Sequence, residues 1–315
     1  MSGARRTGKS AFGSRGGFIV VVVLWMLAGL AGLATVASLY MAQSAMALSS
    51  LDAATQWEML SSAGVELAAY ELSAPVTARR PTHGGFSFRL ANSLIRVEYM
   101  SEAARINLNM APRAMIVSLF ASLGAPAEAA DQYADRVIAW RSAPRPGAAD
   151  DEQELYRLAG SNTLPRRGPF NSADELWLVL GLPVELVERA MPFVTVYSGI
   201  AEVNVLDAPP EVIAALPGMT QARLDAFLGQ REGLPRDDPA FVIGALGGKQ
   251  PGATTVGSEA YRVRMQISLP DGRQRTPEAV ILISGPGETE AFRVLAWQDE
   301  INPYRGGRPG PPSSR

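Results

Sequence analysis

Gly16-Gly17-Phe18-Ile19-Val20-Val21-Val22-Val23-Leu24-Trp25-Met26-Leu27 opens a run that stays apolar to about Tyr40. No charged residue stands between Arg15 and Asp52. A helix over 18–40 is about 35 Å long at about 1.5 Å per residue, enough to cross a hydrocarbon core of about 30 Å. Arg5, Arg6, Lys9 and Arg15 precede it without an acidic residue among them. The positive-inside bias then puts the N-terminus in the cytoplasm and the rest of the chain beyond the membrane. A plain single-pass anchor fits this pattern. A secretory signal cut near Ala45-Met46-Ala47 fits less well, because the apolar run exceeds the about 7–15 residues of a signal h-region. A third reading uses the basic, glycine-terminated leader itself and places a cut between Gly17 and Phe18. Glycine lets an extended backbone enter a protease with no side chain in the way.

The bulk numbers exclude several classes. With 315 residues, the chain has room for about two domains at roughly 150 residues each. The 47% hydrophobic and 19% charged composition is that of a globular protein. A formal charge of −2 gives no sign of nucleic-acid binding, and without its first 17 residues the chain carries 25 basic against 31 acidic groups. Cysteine is absent, which rules out disulfides and thiolate metal sites. The single histidine, His83, lies in Pro81-Thr82-His83-Gly84-Gly85, so a Ser-His-Asp set would have to be built on that loop. No P-loop or dinucleotide glycine pattern occurs. Asp150-Asp151 and Asp237-Asp238 sit in loops rich in Pro, Gly or Ala. The chain is therefore not expected to be an enzyme.

Helical composition continues from Met41 to Leu72, with Leu60, Ala63, Leu67 and Tyr70 at helical spacing, and Pro75 and Pro81 end it. Alternation predicts strands over 86–90 and 95–99, with a turn at Asn92-Ser93, and again over 261–269, 279–283 and 291–297. About 160 residues separate the two groups of strands, so one sheet with a large insertion is expected. Within the insertion, helices are predicted over 112–123, 128–140, 173–180 and 183–190, and Ser172-Ala173-Asp174-Glu175 has the form of a capping box. The fold class expected is α+β: a long N-terminal transmembrane and amphipathic helix, an antiparallel sheet, and an all-helical insertion. The expected boundaries are a leader at 1–17, a transmembrane helix at 18–40, an α/β domain at 41–104 and 255–300, the insertion at 105–254 and a disordered tail at 301–315.

The insertion contains an echo. Arg105-Ile106-Asn107-Leu108 through Leu119 aligns with Glu202-Val203-Asn204-Val205 through Leu216 at a constant offset, each copy entering a helix through Ala-Pro. Two small modules of the SAM or helix-hairpin-helix type are expected, with Asp207 able to cap the second. A DNA-binding hairpin would fall at Leu216-Pro217-Gly218-Met219-Thr220, but Thr220 replaces its second glycine and the region is not basic, so no nucleic acid is expected.

These features together resemble a known family. The basic leader ending in Gly17 before Phe18 is similar to the prepilin leaders of type IV pilins and type II secretion pseudopilins. Val22 stands where most of those proteins carry Glu, whose carboxylate costs about 2.5–3.5 kcal/mol at membrane depth and is kept to pair with a neighbouring subunit. Its absence suits a terminal subunit. Ile106-Asn107-Leu108-Asn109-Met110-Ala111-Pro112, the segment from Phe170-Asn171-Ser172-Ala173-Asp174-Glu175-Leu176 to Gly181, and the closing Leu295-Ala296-Trp297-Gln298-Asp299-Glu300 resemble, in order and spacing, the signatures of general secretion pathway protein K, the minor pseudopilin K family of type II secretion. The resemblance implies cleavage by prepilin peptidase between Gly17 and Phe18 and N-methylation of Phe18. It implies a single-pass inner-membrane protein with a periplasmic domain, at the tip of a pseudopilus, with minor pseudopilins I and J, H, and the major pseudopilin G as partners. Some relatives hold structural Ca2+ in the insertion, and Asp150, Asp151 and Glu152 resemble that region, although Ala139-Trp140-Arg141-Ser142-Ala143 replaces the aspartates that should precede it. A solvated acidic loop explains the same residues. The alternative function is a membrane-tethered periplasmic binding module, such as a type IV pilus minor pilin or a DNA-receptor-like protein.

Overall fold

The computed structural model describes residues 16–73, 80–144, 151–285 and 287–300. The leader before Gly16 and the tail after Glu300 lie outside the described residues. The chain divides into two units, Met1–Met59 and Leu60–Arg315, and helix α1 (Gly16–Ser73) contributes to both. In the first unit, Val20–Met41 is long and apolar enough to cross a membrane. Its side chains are exposed, Trp25 at 77%, as suits a segment whose solvent is lipid. One N-terminal apolar helix of this kind fits a single-pass anchor.

In the second unit, α1 is followed by β1 (His83–Leu90), β2 (Ser93–Ser101), β3 (Ile106–Asn107), α2 (Arg113–Ser122), α3 (Ala127–Arg141), α4 (Asp151–Leu158), α5 (Val184–Ala190) and β4 (Val194–Thr195). Then come β5 (Val203–Asn204), α6 (Pro210–Ala214), α7 (Gln221–Gln230), α8 (Pro239–Ala245), β6 (Ala253–Thr254), β7 (Ala260–Ser268), β8 (Gln274–Ile283) and β9 (Phe292–Glu300). The main sheet is antiparallel in the order β1-β2-β7-β8-β9. The predicted strands all lie in it. The β1–β2 turn is Ala91-Asn92, one residue earlier than expected, with φ of 48° and 61°. Positive φ at both central residues gives the turn a twist that matches the strands.

One face of the sheet buries Ile95, Val97, Tyr99, Val263, Met265 and Ile267, the alternate positions of β2 and β7. Residues 60–73 of α1 bury Leu60, Val65, Ala68, Ala69 and Leu72. The stripe expected from spacing, which included Leu67 and Tyr70, is displaced: Leu67 and Tyr70 are exposed. The reason is close approach. A Cβ at Gly64 would lie 2.7 Å from Met265 Sδ and 3.6 Å from Val97 Cγ2, so the strands come closest at Gly64, and the buried face follows Leu60, Gly64, Ala68 and Leu72 instead of Leu67 and Tyr70.

The segment between β2 and β7 is not helical throughout, which corrects the expectation. Two short parallel ladders hold it, β3 with β4 and β5 with β6. The stretch over 173–178 is a 3-10 helix, shorter than predicted. Ser172 Oγ accepts from Asp174 N, while Glu175 reaches past Ser172 to accept from Asn171 N at 3.2 Å, a capping box shifted by one residue because the turn is tighter. A contiguous apolar core runs from Ile106 to Leu246 and includes Met115, Phe120, Trp140, Tyr156, Val212 and Phe227.

Candidate functional site

The two echoing motifs adopt the same local structure. Asn107 Oδ1 accepts from Asn109 N at 2.9 Å, and Asn204 Oδ1 accepts from Leu206 N at 3.1 Å. The backbone carbonyls of both asparagines accept from the Ala four residues on, Ala111 N at 2.8 Å and Ala208 N at 2.9 Å. Asparagine is the residue for such a turn because its side chain bonds its own backbone two residues later. Each turn feeds a helix through proline, α2 after Pro112 and α6 after Pro209, and neither helix has a side-chain cap. Asp207 therefore does not cap the second copy. It receives Asn204 Nδ2 at 2.7 Å and Arg236 Nη1 at 2.8 Å, and its Oδ1 lies 2.7 Å from His83 Nδ1. An arginine at the C-terminal end of the second helix of each copy, Arg141 ending α3 and Arg231 just after α7, closes the turn. Arg141 donates to the Leu108 carbonyl and, at 2.8 Å, to that of Ala111, while Arg231 donates to that of Ala208 at 2.7 Å.

The family-like motifs also meet one another. Asn109 bonds both backbone groups of Phe170, whose ring stacks on Trp140 at 6.0 Å between centroids. Trp140 Nε1 donates to Glu175 Oε2 at 3.0 Å, and Arg166 Nη1 to Glu175 Oε1 at 2.8 Å. Glu175 thus explains why its motif needs an acid.

A charged hub, not read from the sequence, joins the insertion to the sheet. Glu102, fully buried in the turn after β2, accepts from Arg262 Nε at 2.7 Å, from Arg105 Nη1 at 3.2 Å and from the Thr195 hydroxyl of β4. Arg262 Nη1 also donates to Glu278 Oε1 at 2.6 Å, and Arg264 holds Glu278 Oε2 through two nitrogens at 2.9 and 3.1 Å. Burial pulls the Arg262 guanidinium down, but Glu102 and Glu278 carry it above its ordinary value. Burial pushes the Glu278 carboxyl up, and Arg262 and Arg264 outweigh it, leaving the group below its usual range.

Of the residues expected at functional sites, Gly17 and Phe18 fall in the first turn of α1. Asp150 lies outside the described residues. Asp151 and Glu152 open α4, and Asp151 is exposed. Glu152 Oε2 is taken by Arg136 Nη1 at 2.6 Å, and its Oε1 is buried without a partner among the described residues. No group of three or more His, Cys, Asp or Glu able to hold a metal occurs among the described residues. Calcium needs about six to eight oxygens, so the described part of this loop does not fit it.

An apolar N-terminal helix and an antiparallel sheet are the frame that carries these motifs. Residues 92–199, from β2 through the first Asn turn to β4, match the family model of type II secretion system protein K. A chain in the crystal structure of the GspK–GspI–GspJ complex from the enterotoxigenic Escherichia coli type 2 secretion system is similar in fold, with a TM-score of 0.58 and 18% identity, over 79% of this chain and 98% of that one. No curated protein matches the chain by sequence. The family match and the fold together support a type II secretion protein K in a minor pseudopilin role, which bears out the resemblance read from the sequence.

Proposed function

We propose that the chain caps the pseudopilus of a type II secretion system and starts its assembly. The observation that carries this reading is the insertion with its own core, held against the sheet by the Glu102 hub. A subunit this bulky suits the end of a tightly packed helical fibre, where nothing is stacked above it. Val22, in place of a carboxylate that would need a neighbour, supports the same position. In this reading residues 1–17 are the leader, prepilin peptidase cuts between Gly17 and Phe18, and Phe18 is N-methylated. The N-terminus is cytoplasmic, the domain after Tyr40 is periplasmic, and minor pseudopilins I and J are the immediate partners, with H and G below. The likeness of fold to a chain of the GspK–GspI–GspJ complex supports I and J in particular. The role is structural, without enzymatic activity and without a required cofactor.

Intact mass spectrometry of the membrane-extracted protein, expressed with prepilin peptidase, tests the processing. A mature chain starting at methylated Phe18 is expected. A start at Met1, or beyond Tyr40, sinks the reading and leaves a membrane-tethered binding module. Co-purification with I- and J-type partners tests the assembly, and no complex at micromolar concentration counts against it.

A further inference from the structure

The chain crosses between the sheet and the insertion only twice, after Ser101 and before Ser258. The apolar core of the insertion contains no residue of β1, β2, β7, β8 or β9 among the described residues. Polar ties join the two bodies: His83 of β1 to Asp207, and Arg262 of β7 to Glu102. A polar junction lets two bodies shift against each other more readily than a shared apolar core does. The ties are also one-sided. They fall on β1 and the start of β7, whereas a cleft of about 300 Å³ opens towards β8 and β9. The insertion contributes Asp174, Met191 and Tyr197 to its walls, and the sheet contributes Arg264, Ala296 and Gln298. Asp174 and Arg264 have opposite charge, are both exposed, and are not paired with each other. Asp174 Oδ2 accepts from Ser172 Oγ at 2.9 Å, and Glu278 holds Arg264 Nε and Nη2. Asp174 Oδ1 and Arg264 Nη1 are left without a partner among the described residues.

We propose that the insertion is a lid that rocks on the sheet and closes this cleft, bringing Asp174 to Arg264. The hinge is the pair of crossings at Ser101 and Ser258, and Glu102, beside it, holds Arg262 in both positions. Two gains drive closure. A carboxylate meets the free nitrogen of a guanidinium that Glu278 already orients. Met191 and Ala296, half-buried on facing walls, leave water. Two features keep the lid from locking. An ion pair at exposed positions is weak. Glu98, directly across the β2–β7 ladder from Arg264, also offers it a carboxylate that belongs to the sheet itself. Both positions are therefore populated. The motion needs neither processing nor partners I and J, so it and the reading of the chain as a pilus cap can fail separately.

The chain has no cysteine, so spin labels can be placed in chosen pairs. The test reads label-to-label distances by double electron–electron resonance on the full chain in detergent. The lid pair is Glu188→Cys on α5 with Arg293→Cys on β9, and the reference pair within the sheet is Ser87→Cys with Arg293→Cys, all at exposed positions. The lid pair should show two distances and the reference pair one. Asp174→Asn should cut the share of the shorter lid distance by about threefold and leave the unfolding midpoint unchanged. Arg264→Gln, or salt raised to about 1 M, should do the same to that share. A single distance for the lid pair, or a shorter distance whose share ignores either substitution, overturns the assignment.

Discussion

Asn109 and Phe170, 61 residues apart, trade two hydrogen bonds: Asn109 Nδ2 donates to the Phe170 carbonyl at 2.9 Å, and Phe170 N donates to Asn109 Oδ1 at 2.7 Å. The side-chain amide acts as a one-residue strand edge. It satisfies both backbone groups of a residue that is 3% exposed and has no sheet to join. It also fixes the start of the Phe170 motif against the turn made by Asn107.

Asn109→Ala removes both bonds and leaves a buried N–H and C=O dry, at a cost of about 2–4 kcal/mol. Asn171→Ala, one residue past Phe170 but with an exposed side chain, should change little. Urea unfolding of the detergent-solubilised chain compares the two, and equal midpoints would contradict the pairing.

Glu102→Gln keeps the shape but takes away the charge that Arg105 and Arg262 share. Breaking a buried ion pair from one side costs about 3–5 kcal/mol. Because Glu102 ties Thr195 of the insertion to Arg262 of the sheet, the loss should loosen the insertion first. Limited proteolysis should then release fragments of the insertion while the sheet persists.

Tyr99, Tyr156 and Tyr261 set an alkaline limit. Burial, the largest cause in each, pushes all three up to about 12 from the ordinary 10.0. In the unfolded chain the phenols ionise first, so the folded state binds more protons above pH 10. Their contribution is complete below pH 10 and is lost as pH rises towards about 12. Unfolding midpoints measured across that window should fall, and Tyr156→Phe should flatten part of the fall.

Calcium should not stabilise this chain. A cation bound at a hundred times its dissociation constant adds about 2.7 kcal/mol. Neither calcium nor a chelator should move the midpoint, because Arg136 already neutralises Glu152 through its Oε2. A rise on adding calcium would show that the acidic loop recruits ligands beyond Asp151 and Glu152.

Much of the fold is written in alternation. Arg262, Arg264 and Gln266 point one way from β7 and Val263, Met265 and Ile267 the other, and a two-residue period displays this directly. The Asn107 and Asn204 echo was legible because an asparagine turn needs one residue type at one offset. The contact face of α1 was legible only at Leu60, since spacing carried the stripe on through the large Leu67 and Tyr70 while the strands come closest at Gly64. The hub was invisible for another reason. Glu102 sits in an ordinary Ser-Glu-Ala-Ala stretch, and its partner Arg262 is 160 positions away, so nothing local marks the acid as buried. The Asp207 to His83 contact escaped the same way: each residue reads as a loop group until the fold brings them together.

The place where the insertion leaves and returns has a consequence of its own. Ser101 ends β2 and Ser258 precedes β7, and the two are stitched by Ser258 N to Ser101 Oγ at 2.8 Å and by their hydroxyls at 3.1 Å. Since β2 and β7 are already neighbours, a tight hairpin could replace all that lies between them without moving a rung of the ladder. Evolution could thus swap the head while keeping the shaft, and an engineer could hang a different cargo on the same peg.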